Sequence, residues 1–133
     1  MVADSSAVVA SFLKESGAER YEQAMRSAPK VHMSAVNAFE CRIVLRSRSG
    51  PNEDLVAQFA RLVRSLPIQI AAFDEKQAEI ASDAYRRYGK GSGSPARLNM
   101  GDCAAYALAK SLDLPLLYKG NDFVHTDIVP AAL

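Results

Sequence analysis

Two carboxylates in this sequence stand at places where a side chain can do chemistry. Asp4 ends a short predicted strand, Val2-Ala3, and Asp122 follows the predicted strand 115–118 after a short turn. In open α/β sheets, ligands gather outside the carboxyl ends of the strands, so both side chains are expected at that edge. Each also has a simpler interpretation, because Asp commonly caps helices and occupies turns.

Two further carboxylates lie on predicted helices. Glu40 follows Val36 by four residues and precedes Ile43 and Val44 by three and four, so it interrupts an apolar stripe instead of facing water. A buried, ionised carboxylate requires a cation, a hydrogen-bond donor or a raised pKa. Asp102 stands in the first turn of a small, apolar predicted helix, where the helix dipole alone would favour an acid.

If these four acids converge, their mutual repulsion has to be offset. A hard divalent cation with oxygen ligands, Mg²⁺ or Mn²⁺, offsets it with the fewest parts. Such a metal lowers the pKa of a bound water, orients the water for attack on phosphorus and neutralises charge on the leaving oxygen. Phosphodiester hydrolysis is the predicted reaction, although the spacing along the chain does not itself prove that the four acids meet.

The elements that would position these acids alternate between strands and helices. The predicted strands are 2–3, 31–33, 68–73, 115–118 and a short final one at 128–129. The first predicted helix is capped by Ser5 or Ser6 and ends at Gly17. The helices that follow are 18–28, 35–49, 52–66, 75–88 and one that begins at Asn99 or Gly101 and ends at 111. This alternation predicts a mostly parallel sheet flanked by helices, an α/β sandwich of three layers. A length of 133 residues, 49% hydrophobic, fits a single domain, 1–133.

Several classes of protein are disfavoured by composition. The longest apolar run, 7–13, is far shorter than the ~20 residues of a membrane span. Asp4 stands where a secretory signal would carry Lys or Arg. Cys41 and Cys103 lack zinc-site spacing and are expected to be buried thiols. We therefore expect a cytoplasmic protein with no membrane partner.

Several segments together resemble one family. They are Val2-Ala3-Asp4-Ser5-Ser6-Ala7, the isolated Glu40, Asn99-Met100-Gly101-Asp102-Cys103-Ala104-Ala105-Tyr106-Ala107-Leu108-Ala109, and Pro115-Leu116-Leu117-Tyr118-Lys119-Gly120-Asn121-Asp122-Phe123. In order, spacing and length, they are similar to PIN-domain ribonucleases of the VapC toxin type, from Asp4 to Ile128. The segments 85–91 and 125–128 resemble one branch of that family.

The resemblance implies a metal-dependent endoribonuclease. Asp4, Glu40, Asp102 and Asp122 would be the acidic quartet that holds Mg²⁺ or Mn²⁺. Ser6 matches a small hydroxyl residue that helps to order water or substrate at the metal; a helix cap is an equally good interpretation of this serine. Members of the family are typically toxins neutralised by a cognate antitoxin, and they commonly form homodimers.

The sequence departs from the family pattern in three places. Ala3 is smaller than the bulky residue usual in the first strand. Asn121 stands where some relatives have an additional acid, which would weaken any second metal position. Asp127 could substitute as an outer ligand, although Thr126-Asp127 is also typical of a plain turn.

The RNA backbone is expected to contact basic side chains that flank the glycine-rich segment 89–95, because phosphate affinity comes from Lys and Arg. These side chains are Arg86, Arg87, Lys90 and Arg97. A solvated helix end with no ligand would show the same composition.

Other functions remain to be compared with this one. A receiver domain needs paired acids after its first strand, and a haloacid-dehalogenase phosphatase needs Asp-x-Asp, whereas this chain has Asp4-Ser5-Ser6, so both are disfavoured. The alternative from another class is a catalytically silent PIN-like module that binds RNA or a protein. The presence of all four acids argues against such a module.

Overall fold

The computed structural model describes all 133 residues, and its centre is a sheet of four parallel strands. The strands are β1 (Val2–Ala3), β2 (Val31–Ser34), β3 (Ile68–Ala71) and β4 (Leu116–Leu117). Their spatial order is β3-β2-β1-β4. In the register, Val2 lies opposite His32 on one side and Leu116 on the other. The carboxyl ends of all four strands therefore meet at one edge of the sheet.

Six α-helices and one 3₁₀ helix surround this sheet. They are α1 (Ser5–Phe12), α2 (Ala18–Ser27), α3 (Ala35–Arg48), α4 (Leu55–Ser65), α5 (Glu75–Tyr88), α6 (Met100–Leu112) and the 3₁₀ helix Asp122–His125. None of the helices is long and apolar enough to span a membrane.

The core consists of two clusters, one on each face of the sheet. Because successive strand residues point to opposite faces, Ala3 and Leu117 belong to the cluster formed with α1 to α4, centred on Phe59. Val2 and Leu116 belong to the cluster formed with α5 and α6. The predicted three-layer α/β sandwich is thus confirmed. Cys41 and Cys103 are buried and free, as predicted, one in each cluster.

Capping residues determine where the helices begin and correct two predicted boundaries. Asp4, not Ser5 or Ser6, caps α1, because its side chain accepts a hydrogen bond from the backbone N–H of Ser6. Asp54 accepts from Ala57 N at 3.0 Å, so α4 begins at residue 55 and not at 52.

Three other predicted boundaries also differ from the structure. Helix α1 ends at Phe12, before Lys14 and Gly17 adopt left-handed backbone conformations, so it does not reach the predicted stop at Gly17. Strand β3 ends at Ala71, two residues before the predicted end. The predicted strand 128–129 does not form; only an isolated bridge joins Leu116 and Pro130 there.

Candidate active site

Asp4 lies at the carboxyl end of β1 and is 2% exposed, and both of its carboxylate oxygens are engaged. Its Oδ2 accepts hydrogen bonds from Ser6 N at 2.9 Å and Ser6 Oγ at 2.5 Å, and its Oδ1 accepts from Asn37 Nδ2 at 3.4 Å. Burial raises the pKa of Asp4 to about 6, against the lowering effect of the Ser6 bonds, and the charge of Glu40 raises it further. Asp4 is therefore a carboxylate kept from water without a cationic partner.

Ser6 connects Asp4 to the chain that follows β4. Its hydroxyl donates to Asp4 and accepts from the backbone N–H of Lys119 at 3.0 Å. This serine orients the first acid of the quartet and is not the cap of α1. Its predicted action on water or substrate stays a prediction.

Glu40 accepts a hydrogen bond from Ser5 Oγ at 2.6 Å and a second from Asn37 Nδ2 at 3.3 Å. Of the three alternatives expected for this carboxylate, a cation, a donor or a raised pKa, the structure shows hydrogen-bond donors. The apolar stripe from which it was inferred is wrong, because Ile43 is 54% exposed and the buried face of α3 is formed by other residues, namely Asn37, Ala38, Cys41 and Leu45. Glu40 lies half-buried at the border of that face.

Asn37 is a functional candidate that sequence reasoning missed. It is fully buried, and its Nδ2 lies within hydrogen-bond distance of Asp4 Oδ1, Glu40 Oε2 and, at 3.0 Å, Gly101 O. Its Oδ1 has no partner. One amide thus joins three elements that carry predicted acids, β1, α3 and α6. The signal in the sequence was a polar residue one helical turn before Glu40.

Asp102 is held by the start of α6. Its Oδ2 accepts from Asn99 N at 2.9 Å, while Asn99 Oδ1 accepts from Asp102 N at 2.9 Å, which forms a reciprocal capping box. Burial raises the pKa of Asp102 to about 7, against the Asn99 bond, and the charges of Asp4, Asp122 and Glu40 raise it further. The charge of each of the three other predicted acids therefore contributes to the raised pKa of Asp102.

Asp122 begins the 3₁₀ helix after β4 and is exposed. Its neighbour Phe123 is buried and packs against Tyr118, with ring centroids 5.0 Å apart. The aromatic contact anchors the segment, while the Asp122 carboxylate stays accessible at the end of the sheet where β4 terminates.

The donor set of this cluster fits a hard divalent cation. All four acids supply oxygen, and no lysine or arginine forms an ion pair with any of them; the ion pairs of the chain lie elsewhere. The side chains are not, however, grouped as a metal site, because no group of three or more His, Cys, Asp or Glu side chains could hold a metal ion as arranged. Asp4 and Asp102 instead accept hydrogen bonds from Ser6 and Asn99, bonds that a cation would compete with.

No contact in the structure connects Asp127 with the four predicted acids. Its Oδ1 accepts from Tyr106 Oη at 2.7 Å, and its Oδ2 lies 3.0 Å from Lys110 Nζ and 3.7 Å from Arg87 Nη2. Burial opposes its ionisation, but the Tyr106 and Lys110 hydrogen bonds outweigh burial and lower its pKa. The predicted role as an outer metal ligand has no supporting contact.

The four basic residues expected to contact RNA fall into two pairs. Arg86 lies 2.6 Å from Asp83, and Arg87 donates to the Tyr88 hydroxyl at 2.6 Å while stacking over the Tyr88 ring. In contrast, Lys90 and Arg97 are exposed and form no ion pair. Only this second pair is free to contact a phosphate.

Comparison with known proteins identifies relatives over nearly the whole chain. Residues 1–129 match the PIN domain family. The chain is similar to VapC ribonuclease Mb2780c of Mycobacterium bovis, with 45% identity over 131 residues, 98% of each chain. It is also similar to ribonuclease VapC28 of Mycobacterium tuberculosis, with 40% identity over 128 residues, 96% of this chain and 95% of the relative.

Solved structures share the fold at lower identity. VapC20 of Mycobacterium tuberculosis, described as a toxin that cleaves the sarcin-ricin loop, superposes with a TM-score of 0.76 at 15% identity, covering 98% of this chain and 97% of that one. A toxin–antitoxin complex from Klebsiella pneumoniae superposes with a TM-score of 0.70 at 19% identity, covering 98% and 95%. These likenesses confirm the three-layer fold.

Proposed function

Because the chain belongs to the PIN-domain family, among its VapC-type members, we propose that it is an endoribonuclease and the toxin of a toxin–antitoxin pair. Relatives that are 40–45% identical over nearly their full length are ribonucleases by name. The observation that carries the proposal is geometric: at the carboxyl ends of the strands, the buried Asn37 amide lies within hydrogen-bond distance of Asp4, Glu40 and the carbonyl of Gly101, which precedes Asp102 in the chain. We propose further that residues 1–133 form one catalytic domain, acting on RNA in the cytoplasm.

We propose Asp4, Glu40, Asp102 and Asp122 as the residues that hold Mg²⁺ or Mn²⁺. When bound, the ion supplies a Lewis acid that lowers the pKa of water and offsets charge on a phosphate. The protein's own part is to fix the carboxylates: Ser6 orients Asp4, and Asn37 joins Asp4 to Glu40.

Electrostatics favours this proposal over a silent RNA-binding module. Burial, and to a lesser extent the neighbouring carboxylates, raises the pKa values of Asp4 and Asp102, and no side-chain cation forms an ion pair with either. An RNA phosphate approaching the same edge would be repelled by these carboxylates. A divalent cation removes the repulsion, so this edge is suited to bind RNA only together with a metal.

A cognate antitoxin and a second copy of the chain are the proposed protein partners. The support for an antitoxin is that similar folds occur in structures described as complexes, namely the toxin–antitoxin complex from Klebsiella pneumoniae and VapBC2 from Rickettsia felis. The support for a homodimer is the unusual exposure of large apolar side chains on α3 and α6, with Phe39 64% and Met100 78% exposed. The mass of the purified protein in solution, measured by light scattering, tests the dimer.

The experiment that tests the proposed activity is cleavage of total cellular RNA by protein purified free of antitoxin. Wild type and Asp4→Asn are each assayed with Mg²⁺, with Mn²⁺ and with excess chelator. Discrete fragments from the wild type alone, lost with chelator, are expected. No cleavage by folded wild type under any condition would favour the silent module, and cleavage by both proteins would place the site elsewhere.

A matched control for this substitution lies at the end of α6. Asp113 has a left-handed backbone, φ 51°, which Asn adopts readily, and it caps the end of α6 opposite to Asp102. Asp113→Asn therefore makes the same chemical change and should leave cleavage intact.

A further inference from the structure

The segment 119–127, which carries Asp122, is attached to the rest of the molecule at both ends. At its beginning, the backbone N–H of Lys119 donates to Ser6 Oγ at 3.0 Å, and the Lys119 ammonium group forms an ion pair with Glu15. Between the ends, Asp122 is exposed, and its carboxylate accepts no hydrogen bond from another residue. The position of Asp122 therefore depends on the contacts that attach the segment 119–127 to the rest of the molecule.

The far end of the segment is attached through Asp127. Tyr106 Oη donates to Asp127 Oδ1 at 2.7 Å, Lys110 Nζ lies 3.0 Å from Oδ2, and the same ammonium group donates to the Asp127 backbone carbonyl at 3.2 Å. Tyr106 is almost fully buried, so its hydroxyl is fixed in position. We call these contacts the Asp127 clamp.

The partners of Asp127 lie on the helix face that also carries a predicted metal ligand. Asp102, Tyr106 and Lys110 follow one another at intervals of four residues along α6. Residues four apart on a helix lie one above the other on the same face. The clamp therefore attaches the Asp122 segment to the same face of α6 from which Asp102 extends.

We propose that Asp127 is a positioning residue, which holds the segment 119–127 on α6 and thereby sets Asp122 beside Asp102. This inference rests on the proposed function, in which these two acids share a divalent cation. It differs from the role of an outer ligand that the sequence suggested. A carboxylate already engaged by Tyr106 and Lys110 has little capacity left for another cation.

The first test is hydrogen–deuterium exchange on the metal-free protein. Tyr106→Phe removes the Tyr106 hydrogen bond and Asp127→Asn removes the charge paired with Lys110, so each weakens the clamp with little change of shape. Both should accelerate exchange in peptides covering 119–127, where the N–H groups of Val124 and Thr126 donate within the 3₁₀ turn, and leave α3 unchanged. Unaltered exchange in this segment would overturn the proposal.

Matched controls for these variants lie on other helices. Tyr85→Phe removes the hydroxyl of an exposed tyrosine on α5, and Glu22→Gln neutralises a carboxylate of the Lys14 and Arg26 ion pairs on α2. Neither control should change exchange in 119–127.

The second test is the affinity for Mn²⁺ alone, measured by electron paramagnetic resonance. Both clamp variants should bind Mn²⁺ about 10-fold more weakly or worse, as loss of a supporting contact around a metal typically does. In an Asp122→Asn background, Asp127→Asn should add no further loss. The proposal is overturned if the losses of Mn²⁺ affinity from Asp122→Asn and Asp127→Asn add fully. It is also overturned if Asp127→Asn weakens Mn²⁺ binding and Tyr106→Phe does not. Either result would show that Asp127 is itself a ligand.

The two tests separate this inference from the function on which it rests. A wild type that binds no Mn²⁺ and cleaves no RNA would contradict the proposed function. In that case the exchange experiment still decides whether the clamp holds the segment.

Discussion

Gly101 leaves the space that the Glu40 carboxylate occupies. A Cβ built on Gly101 would lie 2.5 Å from Glu40 Oε2 and 2.8 Å from Oε1, closer than such atoms can approach. The backbone of Gly101 is helical and its carbonyl accepts the Asn37 hydrogen bond. The absence of a side chain at this position, rather than any special backbone conformation, allows α3 and α6 to bring Glu40 and Asp102 together.

Gly101→Ala should therefore inactivate the enzyme while preserving the fold. Alanine favours a helix by up to ~1 kcal/mol over glycine, so stability lost to the clash is partly offset. Displacement of Glu40 by about 1 Å is expected to lower the cleavage rate by about 100-fold. Single-turnover cleavage and thermal unfolding measure the two effects. The control is Gly50→Ala, since nothing lies within 4 Å of a Cβ there; equal activity of the two variants would contradict the prediction.

Glu40→Gln tests the charge of the same side chain without changing its size. A glutamine oxygen can still accept from Ser5 Oγ and Asn37 Nδ2, so the free energy of unfolding should change by no more than about 1 kcal/mol. Cleavage should be abolished because one carboxylate of the quartet is lost. Loss of cooperative unfolding in this variant would instead assign Glu40 a structural role.

Asn37→Ala should reduce both stability and activity. It removes the amide shared by Asp4, Glu40 and Gly101, at an expected loss of about 2–3 kcal/mol for buried groups left without a partner. Asn37→Asp should be worse above neutral pH, because it adds a carboxylate in contact with those of Asp4 and Glu40. Denaturant unfolding and cleavage are measured on each variant.

Gln77 provides the comparison for Asn37. It is also a buried amide with an unpartnered oxygen, but its Nε2 donates to Ala72 O, away from the quartet. Gln77→Ala should lose stability and keep cleavage per folded molecule. Parallel loss of activity in both variants would mean that Asn37 acts through stability alone.

The stability of the metal-free protein should fall as pH rises. The pKa values of about 6 for Asp4 and about 7 for Asp102 exceed the ordinary value near 4, so between pH 4 and 7 the folded chain keeps protons that the unfolded chain releases. The fully buried Asp4 alone contributes up to about 3 kcal/mol to this loss. Thermal unfolding in chelator from pH 4 to 8 measures it.

The same pH dependence predicts how a bound metal ion changes Tm. Mn²⁺ requires deprotonated ligands, so it should raise Tm strongly at pH 8 and little at pH 5. Asp4→Asn should flatten both dependences. A Tm that rises with pH in chelator would show that the carboxylates are stabilised in the folded state by partners other than a metal.

The sequence was sufficient for the four strands and the six helices, since each depends on local patterning, whereas the assignment of the four acids to one site stays a prediction. Asn99, one of the two predicted starts of α6, is its cap, and such a start is predictable because side-chain caps act within three residues. The contacts between helices at the site could not be predicted from local patterning. Asn37 and Gly101 are 64 residues apart, and their contact depends on how α3 and α6 pack. The apolar stripe assigned to Glu40 failed because the burial of α3 is decided by its neighbours and not by its own period.

RNA affinity should depend on Lys90 and Arg97 and not on Arg87. The first two are exposed and without ion pairs, whereas Arg87 is engaged by Tyr88 and Tyr106. In an Asp4→Asn background, which prevents cleavage, Lys90→Gln and Arg97→Gln should each weaken RNA binding and reduce the salt slope, log K against log[salt], by about 0.7 to 1. Glutamine is the appropriate replacement for Arg97 because the left-handed backbone, φ 52°, is then equally unfavourable in both proteins.

Arg87→Gln is the control. It should leave the salt slope unchanged and lower the thermal stability, since it removes the stacking on Tyr88. Salt titration of a fluorescent RNA strand measures all three, and an unchanged slope for Lys90→Gln and Arg97→Gln together would move the RNA path away from the glycine-rich segment.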